Sequence, residues 1–326
     1  MSIGRTNPFH TDGVWLKCAL HTHSTVSDGT LTPRYLAQSY AEAGFDVVSI
    51  TDHWRLTEVA SSDLLLTIPG AELGFDLAHP HYPGQSGEFL VYGLDHLPED
   101  PGGNKDNWQF NDDENWEART FPSLTVASQW AAAMNAVVYV AHPYWNGLSI
   151  DELLSTEGYV GLEVFNASAE VETGRGDSST WWDVLLGSGR TMFGIGTDDQ
   201  HYPLFELGGG WTMVHAAERS EEAVIDALRT GQSYFSHGPS ILDITPVVGG
   251  VEVACSPARS VILHREQEYG VSVSVGANGR RMGRIIESSP DGLITRVFLA
   301  DDAVTPLYQR LSVVDAQGRR AWSNPF

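Results

Sequence analysis

Cysteine is nearly absent: Cys18 and Cys255 are the two thiols in 326 residues. So few thiols exclude a disulfide framework and a zinc site built on cysteine. Cys18 lies in an apolar run just ahead of a His pair, where a buried strand residue is expected. Basic residues are also scarce, 19 against 42 acidic ones, for a net charge of −23. A binder of long DNA or RNA presents Lys and Arg stripes to the phosphate backbone, so that class is set aside. The acidity suits a solvated surface, and part of it suits carboxylates that hold cations. Long apolar runs are missing too; none approaches the ~20 residues that span a bilayer. Residues 1–14 carry no apolar stretch with basic flanks, so no secretory leader is expected and a cytoplasmic location is. No internal repeat is visible.

What is present reads as two parts. Up to residue 239, strand-like runs alternate with helical patterns. Residues 15–20 read as a strand, and Thr32-Pro33 then opens a helix with a cap residue and a first-turn proline. Further strands are expected at 45–50, 64–68, 89–94, 137–140, 160–165 and 192–195, with helices at 124–135 and 180–187. Such alternation suggests parallel βαβ units, and short apolar strands of this kind fit a β/α barrel better than an open sheet. From residue 241 short β-rich segments follow one another with Gly, Pro and Asn turns, which reads as a small antiparallel sheet or sandwich. The expected organisation is therefore a catalytic part, 1–239, and a small β-rich accessory part, 240–326. Residues 98–117, rich in Asp, Asn, Gly and Trp, read as a loop that covers the site.

The chemistry-bearing residues gather just past the expected strand ends, the rim where β/α barrels carry their active sites. His21 and His23 follow the first strand two apart, so an extended backbone points both imidazoles the same way. Asp28 follows in Ser27-Asp28-Gly29. Asp52 and His53 end the second strand, Glu72 the third, His142 a later one, and Asp199 and His201 the last of this part. One isolated His is best read as a hydrogen-bonded core residue; this many, mixed with carboxylates, suits zinc, manganese or iron. Glu163 and Asn166 also end a strand on the rim, where they either line the substrate pocket or make structural hydrogen bonds. Arg55 and Arg175 are the rim cations best placed to grip a phosphate. Asp52 and Asp198 are candidates to orient ligands from behind. The Trp-rich segments read as core or lid.

The ordered set His21-Thr22-His23, Ser27-Asp28-Gly29, Thr51-Asp52-His53, Gly70-X-Glu72, Ala141-His142-Pro143 and Asp199-X-His201 resembles the successive motifs of the PHP (polymerase and histidinol phosphatase) family. Trp181-Trp182-Asp183, residues 231–239 and the closing Arg320-Ala321-Trp322-Ser323-Asn324-Pro325 are similar to segments of its CehA/McbA branch. The resemblance implies a distorted seven-stranded β/α barrel followed by the small all-β part. It also implies hydrolysis, usually of phosphate esters, by a metal-activated hydroxide, with two or three divalent ions (Mn²⁺, Zn²⁺ or Fe²⁺) as cofactors. Carried over by position, His21, His23, Glu72 and Asp199 would hold a first ion. Glu72 would bridge to a second with His142, and Asp28, His53 and His201 would hold a third. Glu72, His53, His201 and Asp199 would carry the catalysis. Where the family often has a His, this chain has Glu88; either Glu88 completes the second site, or His79 or His81 reaches in. The expected substrate is a small, phosphorylated molecule. A carbamate, carboxyl-ester or amide hydrolase of the CehA type is the alternative reading, and a metal-binding module without catalysis is the third. No membrane association is expected.

Overall fold

Apolar strands with both faces buried build the first part of the chain. The computed structural model describes residues 7–77, 86–97, 120–121, 123–266, 270–276, 282–300 and 306–326. In chain order the first elements are β1 (Val14–Ala19), α1 (Pro33–Glu42), β2 (Val47–Val48), β3 (Leu66–Thr67), β4 (Gly70–Leu77) and β5 (Ser86–Tyr92). They are followed by β6 (Thr120–Phe121), α2 (Leu124–Ala132), β7 (Val137–Val140), α3 (Ile150–Ser155), β8 (Gly161–Asn166) and α4 (Ala167–Thr173). Next come α5 (Ser179–Gly187), β9 (Phe193–Thr197), β10 (Trp211–Ala216), α6 (Glu221–Thr230) and β11 (Ser233–Ser236).

These strands form two arcs. One runs β11-β10-β1-β2-β3 and the other β6-β4-β5-β7-β8-β9. Single parallel bridges, His53 with Glu72 and Thr22 with Gln200, join the arcs, and both junctions lie at candidate metal ligands. Strand alternation then sorts the side chains. Phe89, Val91, Val138 and Val140 point outward under α2, α3 and α5. Leu90, Tyr92, Val137 and Tyr139 point inward to meet Leu16, Cys18, Leu20 and Ile195, with Val224 and Leu228 of α6 in the same cluster. Cys18 is fully buried there, as expected. The hydroxyls in this apolar layer are satisfied: Tyr92 donates to the Leu20 carbonyl and Tyr139 to that of Leu228, each at 2.8 Å.

The strand directions are mixed rather than uniformly parallel. β1-β2-β3 and β7-β8-β9 are parallel, but β4-β5, β5-β7, β1-β10 and β10-β11 are antiparallel. Glu72 is not at the end of the strand expected at 64–68. It is the third residue of a separate strand, β4, because Pro69 interrupts the run and pairing restarts at Gly70. Likewise β9 is not the last strand before residue 239; β10 and β11 follow it.

After residue 239 the described elements are all strands: β12 (Ile241–Val247), β13 (Gly250–Ala258), β14 (Ser260–His264), β15 (Gly270–Ser274), β16 (Gly283–Ser288), β17 (Ile294–Ala300), β18 (Arg310–Val314) and β19 (Arg320–Ser323). β12-β13-β17-β16 form a sheet of their own. β15-β14-β18-β19 instead extend the first arc through β11, so one nine-stranded sheet crosses residue 239. Val253, Val297 and Leu299 meet Val261, Leu311 and Val313 between the two sheets.

Candidate metal centre

The backbone delivers the ligand candidates to one place. His21 and His23 follow β1 on either side of the Thr22 bridge, both fully buried. The His23 amide donates to the Gln200 carbonyl at 2.9 Å, and the Thr51 amide to Thr22 at 2.9 Å. Glu72 donates to Thr51 at 3.2 Å and Trp54 to Glu72 at 2.9 Å. The strand ends carrying His21, His53, Glu72 and Asp199 are thus stitched directly to one another. Gly29 allows the tight return that brings Asp28 back: a Cβ there would lie 2.0 Å from the His23 carbonyl oxygen. His142, Asp199 and Trp54 all adopt positive φ, at 22°, 50° and 51°. Two of these are candidate ligands and the third follows one, so strained backbone collects at the cluster, as it does at functional sites.

Four atoms define the centre. His21 Nε2 lies 3.1 Å from His23 Nε2, 3.2 Å from Glu72 Oε2 and 3.1 Å from Asp199 Oδ1. His23 Nε2 lies 3.2 Å from each of the same two oxygens. Five of the six separations among these four atoms are thus 3.1–3.2 Å, close to the roughly 3.3 Å between two donors that each lie about 2.0 Å from one zinc ion. Two imidazole nitrogens facing each other at 3.1 Å, with acceptor oxygens around them, form a donor set that a cation resolves. Glu72 Oε1 and Asp199 Oδ1 are buried without a hydrogen-bond partner among the described residues. The residues present therefore fit a divalent metal.

Two further groups adjoin this one. Glu72 turns its other oxygen, Oε1, to His142 Nε2 at 3.3 Å, and Glu88 Oε2 is 3.6 Å from the same nitrogen. His53, Glu72 and Glu88 bring one donor atom each within 4.8 Å. His79 and His81 lie outside the described residues. Asp28 Oδ2 is 3.5 Å from His53 Nε2 and 3.3 Å from His201 Nε2. His23 touches this third group through Nδ1, 3.3 Å from Asp28 Oδ1. All nine residues expected as ligands are thus brought together.

The other expected residues divide. Asp52 accepts from Ser24 N, Ser24 Oγ and Ser27 Oγ at 2.7 Å each and from Thr57 Oγ1 at 2.5 Å, so it holds the loop before Asp28 rather than an imidazole ring. Asp198 accepts from Tyr40 Oη and from the Gly208 amide, and closes that turn. Glu163 and Asn166 are fully buried, and Asn166 caps α4 at Ala169 N. Arg55 donates to the Trp54 carbonyl, and exposed Arg175 lies over the Tyr144 ring. Sequence reasoning passed over Glu206, a buried carboxylate that accepts from the His201 amide at 2.5 Å and the Tyr202 amide at 2.6 Å. Its only signal was a lone Glu amid Leu, Phe and Gly. Of the tryptophans, Trp182 is core, whereas Trp145 is more exposed and sets its ring edge-on against His142, centroids 5.1 Å apart.

Charge in the cluster is strongly coupled. Burial would raise the Glu72 carboxyl and lower the histidines. Instead His21 and His53 hold Glu72 well below the usual carboxylate range, and Asp199 and Glu72 hold His21 well above the usual imidazole one. His142, for which burial is likewise outweighed by Glu72 and Glu88, is pushed up to about 9. Glu88 is raised, by burial and then by the charge of Glu72. Asp198 is pushed up to about 7, chiefly by burial.

Fold and site together define a mixed α/β protein with a buried His, Asp and Glu cluster able to hold divalent metal ions. No family model and no curated protein matches the sequence. Among solved structures, the chain is similar over its full length to a two-domain protein from Bacteroides vulgatus containing a region assigned as a PHP-like metal-dependent phosphoesterase. The identity is 16%, the TM-score 0.49, and all of that chain is covered. It is also similar to a protein from Bifidobacterium adolescentis assigned as a metal-dependent phosphoesterase, at 18% identity and TM-score 0.42, over 57% of this chain and 87% of that one. An amidohydrolase from Chromobacterium violaceum with bound sulfate and no metal matches at 15% identity and TM-score 0.43, over 57% of this chain and 88% of that one.

Proposed function

We propose that the chain is a metal-dependent hydrolase, a phosphoesterase acting on a small-molecule monoester or diester. The observation that carries this reading is the close convergence of His21, His23, Glu72 and Asp199, with the second oxygen of Glu72 turned to His142. In this reading these residues would hold a first ion, Glu72 with His142 and Glu88 would hold a second, and Asp28, His53 and His201 would hold a third. Divalent ions there would supply a nucleophile from water at neutral pH and offset charge on a phosphoryl group. The chain's own part is to fix the donor atoms: Glu72 places one oxygen in each group, and buried strand ends hold the imidazoles. As ligands, His53 and His201 are poor proton donors to a leaving group. Arg55 and Arg175 are the candidate substrate cations. We read the path β1-β2-β4-β5-β7-β8-β9, closed by the two bridges, as the distorted seven-stranded barrel, with 1–239 as the catalytic part and 240–326 as the accessory one. A cytoplasmic protein of the CehA/McbA branch, with Mn²⁺, Zn²⁺ or Fe²⁺ and without long nucleic acid as partner, completes the proposal.

One observation favours a second reading, hydrolysis of a carbamate, ester or amide with an apolar group. Tyr202, Leu204 and Phe205, directly after His201, are 56, 91 and 73% exposed, and Trp145 flanks His142. Metal analysis of the purified protein, with a screen across phosphate monoesters, phosphate diesters and carboxyl esters, tests both. Full activity in strong chelator overturns the metal-dependent reading. Turnover of carboxyl esters alone selects the second.

A further inference from the structure

Two buried carboxylates outside the ligand set, Glu163 and Asp52, make contrasting contacts behind the cluster, and a third, Glu206, holds the His201 backbone. Glu163, on β8, is fully buried and accepts on both oxygens. Oε1 takes His21 Nδ1 at 2.9 Å and the Thr197 hydroxyl. Oε2 takes the His142 amide at 2.8 Å and Asn166 Nδ2 at 3.0 Å, and Asn166 Nδ2 also reaches Asp199 Oδ2 at 3.0 Å. One side chain therefore fixes His21, His142 and, through Asn166, Asp199. Because a carboxylate only accepts, His21 must donate from Nδ1, so that once the second ring proton is lost Nε2 is the atom that offers a lone pair toward His23, Glu72 and Asp199. With four donors on two oxygens, Glu163 has no capacity left for a substrate. Asp52 makes none of these contacts. Its four hydrogen bonds go to Ser24, Ser27 and Thr57, and Ser27 Oγ lies 3.1 Å from Asp28 Oδ1. Asp52 therefore fixes the loop that presents Asp28.

We propose that Glu163 and Asp52 are positioning residues for separate metal sites: Glu163 for the pair of ions bridged by Glu72, and Asp52 for the ion held by Asp28, His53 and His201. This rests on the reading that the cluster binds metal. The two sets meet at His23, which turns Nε2 to His21, Glu72 and Asp199 and keeps Nδ1 for Asp28 and Ser27 at 3.3 Å each.

The test is titration of Mn²⁺ alone into metal-stripped full-length protein, followed by equilibrium dialysis and electron paramagnetic resonance. Two ions bridged by one carboxylate give an exchange-coupled spectrum; a single ion gives the six-line spectrum of isolated Mn²⁺. E163Q puts an amide N–H₂ among four donors, so affinity for the coupled pair should fall about 10–100-fold, the usual effect of losing such a partner, while one isolated ion is retained. D52N should keep the coupled pair and lose the isolated ion by a similar factor. Should E163Q fail to fold, Asn166→Ala tests the same arrangement from the Asp199 end, with a weaker pair and an unchanged isolated ion expected. Equal loss of both signals in E163Q and D52N, or no change in either, overturns the inference. Wild-type protein that binds no Mn²⁺ overturns the metal reading beneath it.

Discussion

At the scale of single residues, Glu72 has the most contacts to lose. Its two oxygens lie in two different groups, so Glu72→Gln should reduce turnover by more than the ~100-fold that outer partners of a metal contribute. Asp28→Asn should cost less, and steady-state kinetics on both variants compare them; retained activity in Glu72→Gln with loss in Asp28→Asn would break the bridging assignment. Glu88 in place of an imidazole adds a harder, anionic donor beside His142, so Mn²⁺ should support activity at least as well as Zn²⁺. Reconstitution of stripped protein with each ion decides this, and a strict zinc requirement would count against Glu88 as a ligand. Proton linkage offers a third check. Without metal, His21 and His23 are held well above the usual imidazole range and His142 is pushed up to about 9, so all three carry protons at pH 7. Metal must displace them, so affinity should rise with pH toward 9 and binding at pH 7 should release protons. Calorimetry in buffers of different ionisation heat measures the release, and a heat independent of buffer would contradict it. His21, His53, His142 and Asp199 stood out in the sequence as candidates because each is a polar residue just past an apolar strand, whereas Glu72 and Glu88 lie inside β4 and β5. Glu163 stood out as a rim residue but its role did not, since its partner His21 is 142 residues away and nothing local distinguishes structural hydrogen bonding from a pocket wall.

At the scale of elements, the Trp181-Trp182-Asp183 segment turns out to be a fastening. Arg310, at the start of β18, is 1% exposed and donates from Nε and Nη2 to both oxygens of Asp183 on α5, while Tyr308 donates to Oδ1. Asp183→Ala leaves the guanidinium buried without its counter-charge. The cost should be roughly 2–4 kcal/mol, below the full value for a buried pair because the Asp183 side chain is 32% exposed. A shift in the midpoint of denaturant unfolding measures it, and an unchanged midpoint would show the pair to be dispensable. Element boundaries were only partly readable. α6 was passed over although Ser220 caps it, Glu221 and Glu222 occupy its first turn and Gly231 closes it in the left-handed region. β10 was passed over because its partners are β1 and β11, and a six-residue run of mixed polarity signals a strand only beside them.

At the scale of the whole molecule, a net charge of −23 disfavours compaction through self-repulsion, and without metal the cluster's carboxylates are offset by protonated His21, His23 and His142. Bound cations would take over that role. At a hundredfold excess over the dissociation constant, one site adds about 2.7 kcal/mol of stability, so chelation should lower the melting temperature by several degrees. Differential scanning calorimetry with and without chelator reads this directly, and superimposable melts would contradict it. The change near residue 239 from mixed helix and strand to strand alone among the described elements was visible in the sequence. The continuity of the nine-stranded sheet across it was not, because hydrogen-bond pairing between β11 and β19 leaves no trace in either segment's composition.

That continuity governs how the protein comes into being on the ribosome. The Asn324 side chain accepts from the Gly194 amide and donates toward Ser233, and Trp322 stacks on Phe235. For the whole interval in which residues 240–320 are being translated, β11 has an unpaired edge and the aromatic face around Phe235 is uncovered. Such an edge and face invite association with other nascent chains. The nascent sheet therefore has an exposed seam that only residues synthesised much later can seal, Trp322 for Phe235, and long-range strand pairing of this kind is slow to form. Competence of the metal centre should accordingly lag behind the appearance of its ligands at the tunnel exit, and slowing elongation after β11 should increase loss to aggregation rather than assist folding.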